Sequence, residues 1–120
     1  MSAQTVYTQA STLITSSVTP ANSGPLSIGN YVELAIDINL TSKQGTSPTI
    51  QFFIDRLGVD GIYYPLWQSA VQSTTPAQVS TSIGAGLAIS QSFGGTVQFR
   101  WVIGGGSTPG WTYSVSLIGK

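Results

Sequence analysis

The side chains in this sequence that could catalyse a reaction are four carboxylates, Glu33, Asp37, Asp55 and Asp60. The sequence has no His and no Cys, which removes imidazole bases, thiolate nucleophiles, disulfides and the usual zinc and iron ligands. Two carboxylates can hydrolyse a glycoside when they lie about 5 to 9.5 Å apart. Glu33 and Asp37 share one predicted strand face at about 13 Å, from 3.3 Å per residue, so they do not form that pair. Asp55 and Asp60 flank a predicted turn, which we expect them to cap. We therefore expect no enzyme, no cofactor and no metal.

Two glycine-containing segments resemble ligand-binding loops, but each lacks essential parts. Residues 104–110 are rich in glycine, yet no helix pattern follows and no Lys precedes a Ser or Thr there, so a phosphate-binding loop is excluded. We predict a hairpin loop there instead. Residues 55–61 contain two Asp, but they lack the further oxygen ligands and the closing Glu of an EF-hand.

Charged residues are scarce, which limits the possible partners. The chain has four Lys or Arg and four Asp or Glu, a net charge of zero. Only 7% of its residues are charged, against about 25% in a typical soluble domain. So few basic residues predict no nucleic-acid partner, and zero net charge predicts no attraction to a membrane surface. No apolar run approaches the ~20 residues of a membrane helix, and the first residues lack a targeting pattern. We expect synthesis in the cytoplasm.

The elements that would position these residues are strands. From residue 31 onward apolar residues recur with a period of two, most clearly over residues 32–40, 50–55, 97–103 and 111–117. Weaker patterns indicate strands at 77–83 and 87–90. Asp60-Gly61 predicts a hairpin turn. The strand that follows this turn contains Pro65, which indicates an edge strand or a bulge. About seven or eight short strands and no helix predict an all-β fold, an antiparallel β-sandwich of jelly-roll or immunoglobulin type.

The first 30 residues differ from the rest in being rich in Ser, Thr, Gln and Asn. We predict an extended N-terminal arm over residues 1–30, with an edge strand near residues 4–16, and a β-sandwich domain over residues 31–120. Charged side chains of the outer phase, Glu33, Asp37 and Arg100, would form a cross-strand ion pair if their strands are neighbours.

Several apolar side chains lie in the predicted arm or on the predicted outer faces of strands, where they could contact another protein. Phe53 is out of phase with the core positions, so it is covered by a partner or another copy, covered by the chain itself, or exposed. Tyr7 and its neighbours lie in the arm. The residues predicted to form an interface are Val6, Tyr7, Leu13, Phe53, Tyr63, Tyr64 and Trp67.

The strand and turn patterns together resemble those of small β-sandwich virion proteins of tailed bacteriophages, of the capsid decoration, or cement, type. The segments that carry the resemblance are residues 31–38 (YVELAIDI), 45–52 (GTSPTIQF), 60–64 (DGIYY), 97–105 (VQFRWVIGG) and 111–115 (WTYSV). The resemblance implies a structural protein on the capsid surface that binds the major capsid protein or another virion protein and stabilises the shell. It also implies a homo-oligomer, commonly a trimer, and no catalytic residue. A carbohydrate-binding module with aligned exposed rings, or a tail or fibre component used in host attachment, remains the alternative.

Overall fold

The computed structural model describes residues 4–29, 31–84 and 95–120, and these form eight strands and no helix. The strands are β1 (Gln4–Thr15), β2 (Leu26–Ser27), β3 (Glu33–Gln44), β4 (Thr49–Leu57), β5 (Tyr63–Gln68), β6 (Ala77–Gly84), β7 (Thr96–Gly104) and β8 (Gly110–Gly119). The predicted all-β class is confirmed. The predicted strand at 87–90 lies outside the described residues.

The strands form two four-stranded antiparallel sheets. Sheet A has the order β1-β8-β3-β6 and sheet B the order β2-β7-β4-β5. Among the described strands, β4 and β5 are the only neighbours in a sheet that also follow each other in sequence. This interleaved connectivity is that of a jelly roll, whereas an immunoglobulin fold groups its strands differently. Of the two predicted sandwich types, the strand order therefore matches the jelly roll.

The core lies between the sheets and follows from the period of two. On β3, β4, β7 and β8 alternate side chains point inward and the residues between them point outward. The predicted core residues Phe52, Phe99 and Trp101 are all buried. The aromatic centre of the core consists of Phe52, Phe99, Trp101, Trp111 and Tyr113, surrounded by aliphatic residues of both sheets.

The N-terminal residues contribute a strand to each sheet. β1 pairs with β8 from Gln4 to Thr15, which confirms the predicted edge strand, and β2 pairs with β7. A bulge leaves Val6 without a register partner, so that Val6 and Tyr7 both pack against the core. Residues 4–29 therefore share the hydrophobic core of the other described residues. Their division into a separate arm remains a prediction about assembly.

Two connections decide the topology, and sequence reasoning predicted one of them correctly. The Asp60-Gly61 turn joins β4 to β5 as a hairpin, and β5 is an edge strand with a register shift near Pro65, as predicted. The predicted hairpin at 104–110 is wrong. This loop leads from β7 in sheet B to β8 in sheet A, so it crosses between the sheets. Each flanking strand finds its partners elsewhere in the chain.

Candidate functional site

The four carboxylates do not face a common cavity. Asp37 lies on the outer face of sheet A, because its neighbours Ile36 and Ile38 point into the core. Asp55 lies on the outer face of sheet B, beside the inward Ile54. The sandwich core separates these two faces. Asp37, Asp55 and Asp60 each have their own local hydrogen-bond partners.

Asp55 is buried in a polar cluster on the outer face of sheet B. Its side chain is 3% exposed and accepts two hydrogen bonds from the Arg100 guanidinium, at 2.7 Å from Nε and 3.1 Å from Nη2. Gln98 lies opposite Asp55 in the ladder and donates a third hydrogen bond, at 2.9 Å from Nε2 to Oδ2. The predicted turn-capping role of Asp55 is therefore wrong. A bidentate pair in partial burial is a structural tie between β4 and β7.

The same cluster explains the out-of-phase Phe53. Phe53 and Arg100 are ladder partners, and the guanidinium carbon lies 3.9 Å from the centre of the Phe53 ring. This cation–π contact leaves Phe53 only 9% exposed. The predicted ion pair of Arg100 with Glu33 or Asp37 is wrong, because those acids lie on β3 in the other sheet.

Among the described residues, the most exposed cluster of apolar side chains lies at the end of the β4–β5 hairpin, over residues 57–64, called the hairpin tip below. Val59 is fully exposed, Ile62 is 57% exposed, and Leu57 and Tyr64 are 38% and 39% exposed. The turn closes through a 2.7 Å hydrogen bond from the Gly58 backbone N–H to the Ile62 carbonyl. Large apolar side chains grouped in this way are typical of a contact surface.

Asp60 holds the hairpin tip in shape. Its Oδ1 accepts a 3.0 Å hydrogen bond from the backbone N–H of Ile62, and its Oδ2 accepts one from the Tyr64 hydroxyl. These bonds, with the one from Tyr64 as the larger cause, lower the pKa of the Asp60 carboxyl. The same bond raises the pKa of Tyr64, whose ring also lies 5.4 Å from the Arg56 guanidinium. The predicted capping role of Asp60 is confirmed.

The structure separates the predicted interface residues into two groups. Tyr63 and Tyr64 lie at the hairpin tip, and Trp67 is half-buried further along β5. The remaining residues except Phe53 lie on β1, at the edge of the other sheet. Of these, Leu13 is 47% exposed, whereas Val6 and Tyr7 are half-buried. Burial raises the pKa of Tyr7, whose ring lies 6.1 Å from the Phe99 ring.

Sequence reasoning missed the three aliphatic residues of the hairpin tip, Leu57, Val59 and Ile62. The signal was present, because these residues surround the Asp60-Gly61 turn, where polar residues are usual. An apolar residue in a tight turn is exposed by geometry, since the turn projects away from the sheet. We therefore add these three residues to the candidate interface.

A second feature is a shallow polar groove of about 380 Å³ on the outer face of sheet A. Asp37 lines it and accepts a 2.6 Å hydrogen bond from the Ser80 hydroxyl. Among the described residues no aromatic ring lines it. The groove therefore lacks the stacking surface that a carbohydrate-binding module commonly uses. Its polar side chains are Asp37, Asn39, Gln78, Ser80, Ser114 and Ser116.

The part of the chain that the structure describes contains no group of three or more His, Cys, Asp or Glu that could hold a metal ion. None of its segments is a helix with the length and hydropathy needed to cross a membrane. Comparisons of the chain with protein-family models, curated proteins and solved structures gave no match.

Proposed function

We propose that this chain is a structural virion protein of the capsid decoration type, which attaches to the major capsid protein or another virion protein through the hairpin tip. The observation that carries the proposal is the group of exposed apolar side chains at that tip, held in place by Asp60. The capsid partner is suggested by the resemblance of about residues 31–118 to capsid decoration proteins of tailed bacteriophages. The jelly-roll connectivity supports it by analogy, because this fold is frequent in viral capsid domains.

The arrangement of the acids favours a binding role over a catalytic one. Asp55 is engaged by Arg100 and Gln98, and Asp60 is engaged by the hairpin that it caps. Attachment of a rigid sandwich to many equivalent sites on a shell would stabilise the shell by mass action. This role requires a stable fold and a contact surface, and it requires no reactive group.

The experiment is co-sedimentation of the purified protein with heads of the encoding phage that lack it. The test variant is Val59→Ser with Ile62→Ser, and the matched control is Val32→Ser with Val71→Ser, two valines exposed by 70% and 57% away from the tip. Burial of the two tip side chains is worth at least about 3 kcal/mol. The tip variant should therefore bind about 100-fold more weakly or worse, while the control binds like the original protein.

Two outcomes would contradict the proposal. The original protein could fail to sediment with the heads at all, which would remove the capsid partner. Alternatively, the tip variant could bind as tightly as the control, which would place the contact elsewhere on the surface. Circular dichroism of both variants shows whether the fold is intact, and we expect it to be, because all four side chains are exposed.

A second candidate is a carbohydrate-binding or host-attachment module that binds through hydrogen bonds in the polar groove of sheet A, without the aligned rings that such modules commonly use. The carboxylate, amides and hydroxyls of the groove are groups that hydrogen-bond sugar hydroxyls. Binding of the original protein to immobilised glycans, lost in Asp37→Ala, would support this candidate. Absence of any glycan binding would argue against this second candidate and leave capsid attachment as the remaining proposal.

A further inference from the structure

The described strands leave four sheet edges, and these differ in how open they are to another strand. An exposed edge presents unpaired backbone groups, and proteins usually interrupt it with bulges, proline, charge or shortness. β1 has two register shifts against β8, and β2 is two residues long. β5 contains Pro65 and a register shift. Three of the four edges are therefore interrupted.

β6 has none of these interruptions. It is eight residues long, contains no proline and no charged residue, and pairs with β3 from Ala77 to Gly84 without a register shift. Its outer edge spans about 26 Å, from 3.3 Å per residue. None of the described residues pairs with that edge. An edge of this kind is a template for strand addition.

We infer that the outer edge of β6 pairs with β6 of a second copy of this chain, antiparallel and about a two-fold axis. This pairing would join two copies of sheet A into one continuous eight-stranded sheet. It is isologous, so each copy offers the same surface and the pairing closes at two chains.

The side chains of β6 are compatible with pairing to themselves. With the axis at Ser80, Val79 lies opposite Thr81 and Gln78 lies opposite Ser82, and every side chain keeps its own face of the sheet. The first pair joins two β-branched side chains, the second joins an amide to a hydroxyl, and neither brings like charges together.

Electrostatic repulsion between the copies is small. The charges nearest the seam are the carboxylates of Glu33 and Asp37, which lie on β3 opposite Gly84 and Ser80. Asp37 lies beside the axis residue, so the two Asp37 side chains are the closest pair of like charges across the seam. Across the seam the two Asp37 side chains would lie three strand spacings apart, about 14 Å. That distance exceeds the Debye length of about 8 Å at physiological ionic strength. The zero net charge of the chain also gives no long-range repulsion.

This inference is independent of attachment through the hairpin tip. It predicts a dimer, whereas the resemblance to decoration proteins implies a trimer. A dimer that fails to bind phage heads would contradict the proposed function alone. A trimer that binds them would contradict the β6 pairing alone.

The test is the solution mass by light scattering of the full chain at micromolar concentration. We expect twice the chain mass of 12.5 kDa. Gln78→Lys with Ser82→Lys places like charges across the seam and should reduce the mass to one chain. Both positions avoid Ser80, where a lysine would meet Asp37. The control, Thr5→Lys with Thr8→Lys, adds the same charge to exposed positions of β1 and should remain a dimer.

A monomer or trimer of the original protein would overturn the inference, as would a dimer that the β6 lysines leave intact. Hydrogen exchange of the unmodified protein gives a second test that does not depend on folding of a variant. Amides of residues 77–84 should exchange more slowly as the concentration rises through the dimerisation range. Exchange in this segment that does not change with concentration would also overturn the inference.

Discussion

Tyr113→Phe should stabilise this protein, because the Tyr113 hydroxyl is buried without a partner. Tyr113 is 0% exposed at the centre of the core, where its ring packs edge-to-face against Phe52 at 5.1 Å between centroids. Among the described residues its hydroxyl has no hydrogen-bond partner. A buried hydroxyl left unsatisfied costs about 1 to 3 kcal/mol, whereas loss of one oxygen from the core leaves a small void. We expect the free energy of unfolding to rise by about 1 kcal/mol at pH 7.

The same burial predicts the pH dependence. Removal from water, with a smaller contribution from the neighbouring Tyr7, raises the pKa of Tyr113 far above its usual value. In the unfolded chain this phenol ionises near pH 10, while in the folded protein it stays protonated. Above pH 10, ionisation of this phenol therefore lowers the free energy of the unfolded state but not that of the folded state. This contribution reduces stability by up to about 1.4 kcal/mol per pH unit above pH 10, and Tyr113→Phe removes it.

Urea unfolding followed by tryptophan fluorescence at pH 7 and pH 10.5 measures both effects. Tyr31→Phe is the matched control, because the Tyr31 hydroxyl donates a 2.8 Å hydrogen bond to the Gln4 side chain. The control loses a satisfied bond and should be destabilised by about 0.5 to 1.5 kcal/mol. Destabilisation of Tyr113→Phe by as much as the control at pH 7 would refute the reasoning. It would mean that the buried hydroxyl is satisfied.

The remaining predictions concern Asp55 and Asp60, the carboxylates that accept hydrogen bonds in the Arg100 cluster and in the hairpin tip. Asp55→Asn keeps the shape of the side chain but loses its charge-assisted bonds, so the free energy of unfolding should fall by about 2 kcal/mol. In urea unfolding the control Asp37→Asn, on an exposed face, should change it by less than about 0.5 kcal/mol, and an equal effect of both would argue against the Asp55 tie. For Asp60, the lowered pKa means that its support of the hairpin tip is complete above its unfolded value near 3.8 and is lost as the pH falls through the folded value. The ring resonances of Tyr64 should therefore shift below pH 4 and stay constant in Asp60→Asn, and a shift that persists in the variant would contradict the cap.

Local patterns in the sequence predict local structure here, and they fail where a partner must be chosen. The period of two placed Phe52, Phe99 and Trp101 in the core, because alternation depends only on the strand itself. The Asp60-Gly61 turn was predictable for the same reason, since its residues tolerate the backbone that a hairpin requires. The loop at 104–110 was misassigned because a short loop between two strands does not say whether they share a sheet.

The candidate site shows the same limit. Phase alone placed Phe53 on an outer face and left open whether a partner, the chain itself or nothing covers it, and Asp55 was assigned to the turn. Their cover comes from Arg100, and that contact depends on the β4–β7 register, in which Phe53 faces Arg100 and Asp55 faces Gln98. Register is a property of two segments more than forty residues apart. The aliphatic residues of the hairpin tip were accessible to sequence reasoning, because apolar residues at a turn are exposed wherever the strands pair.

The scarcity of charge limits how this molecule can recognise a partner. Of its eight charged side chains, Asp55 and Arg100 neutralise each other, and Asp60 is engaged in the hairpin that it caps. Charge therefore contributes little steering, and association should proceed at an ordinary rate of about 10⁵ to 10⁶ M⁻¹s⁻¹. Apolar contact at the hairpin tip and backbone hydrogen bonds along β6 remain as sources of affinity. Neither is screened by salt as exposed ion pairs are, so both associations should persist at high ionic strength. This insensitivity to salt is consistent with the proposed role, because the contacts of a capsid decoration protein would have to hold in media of different ionic strength.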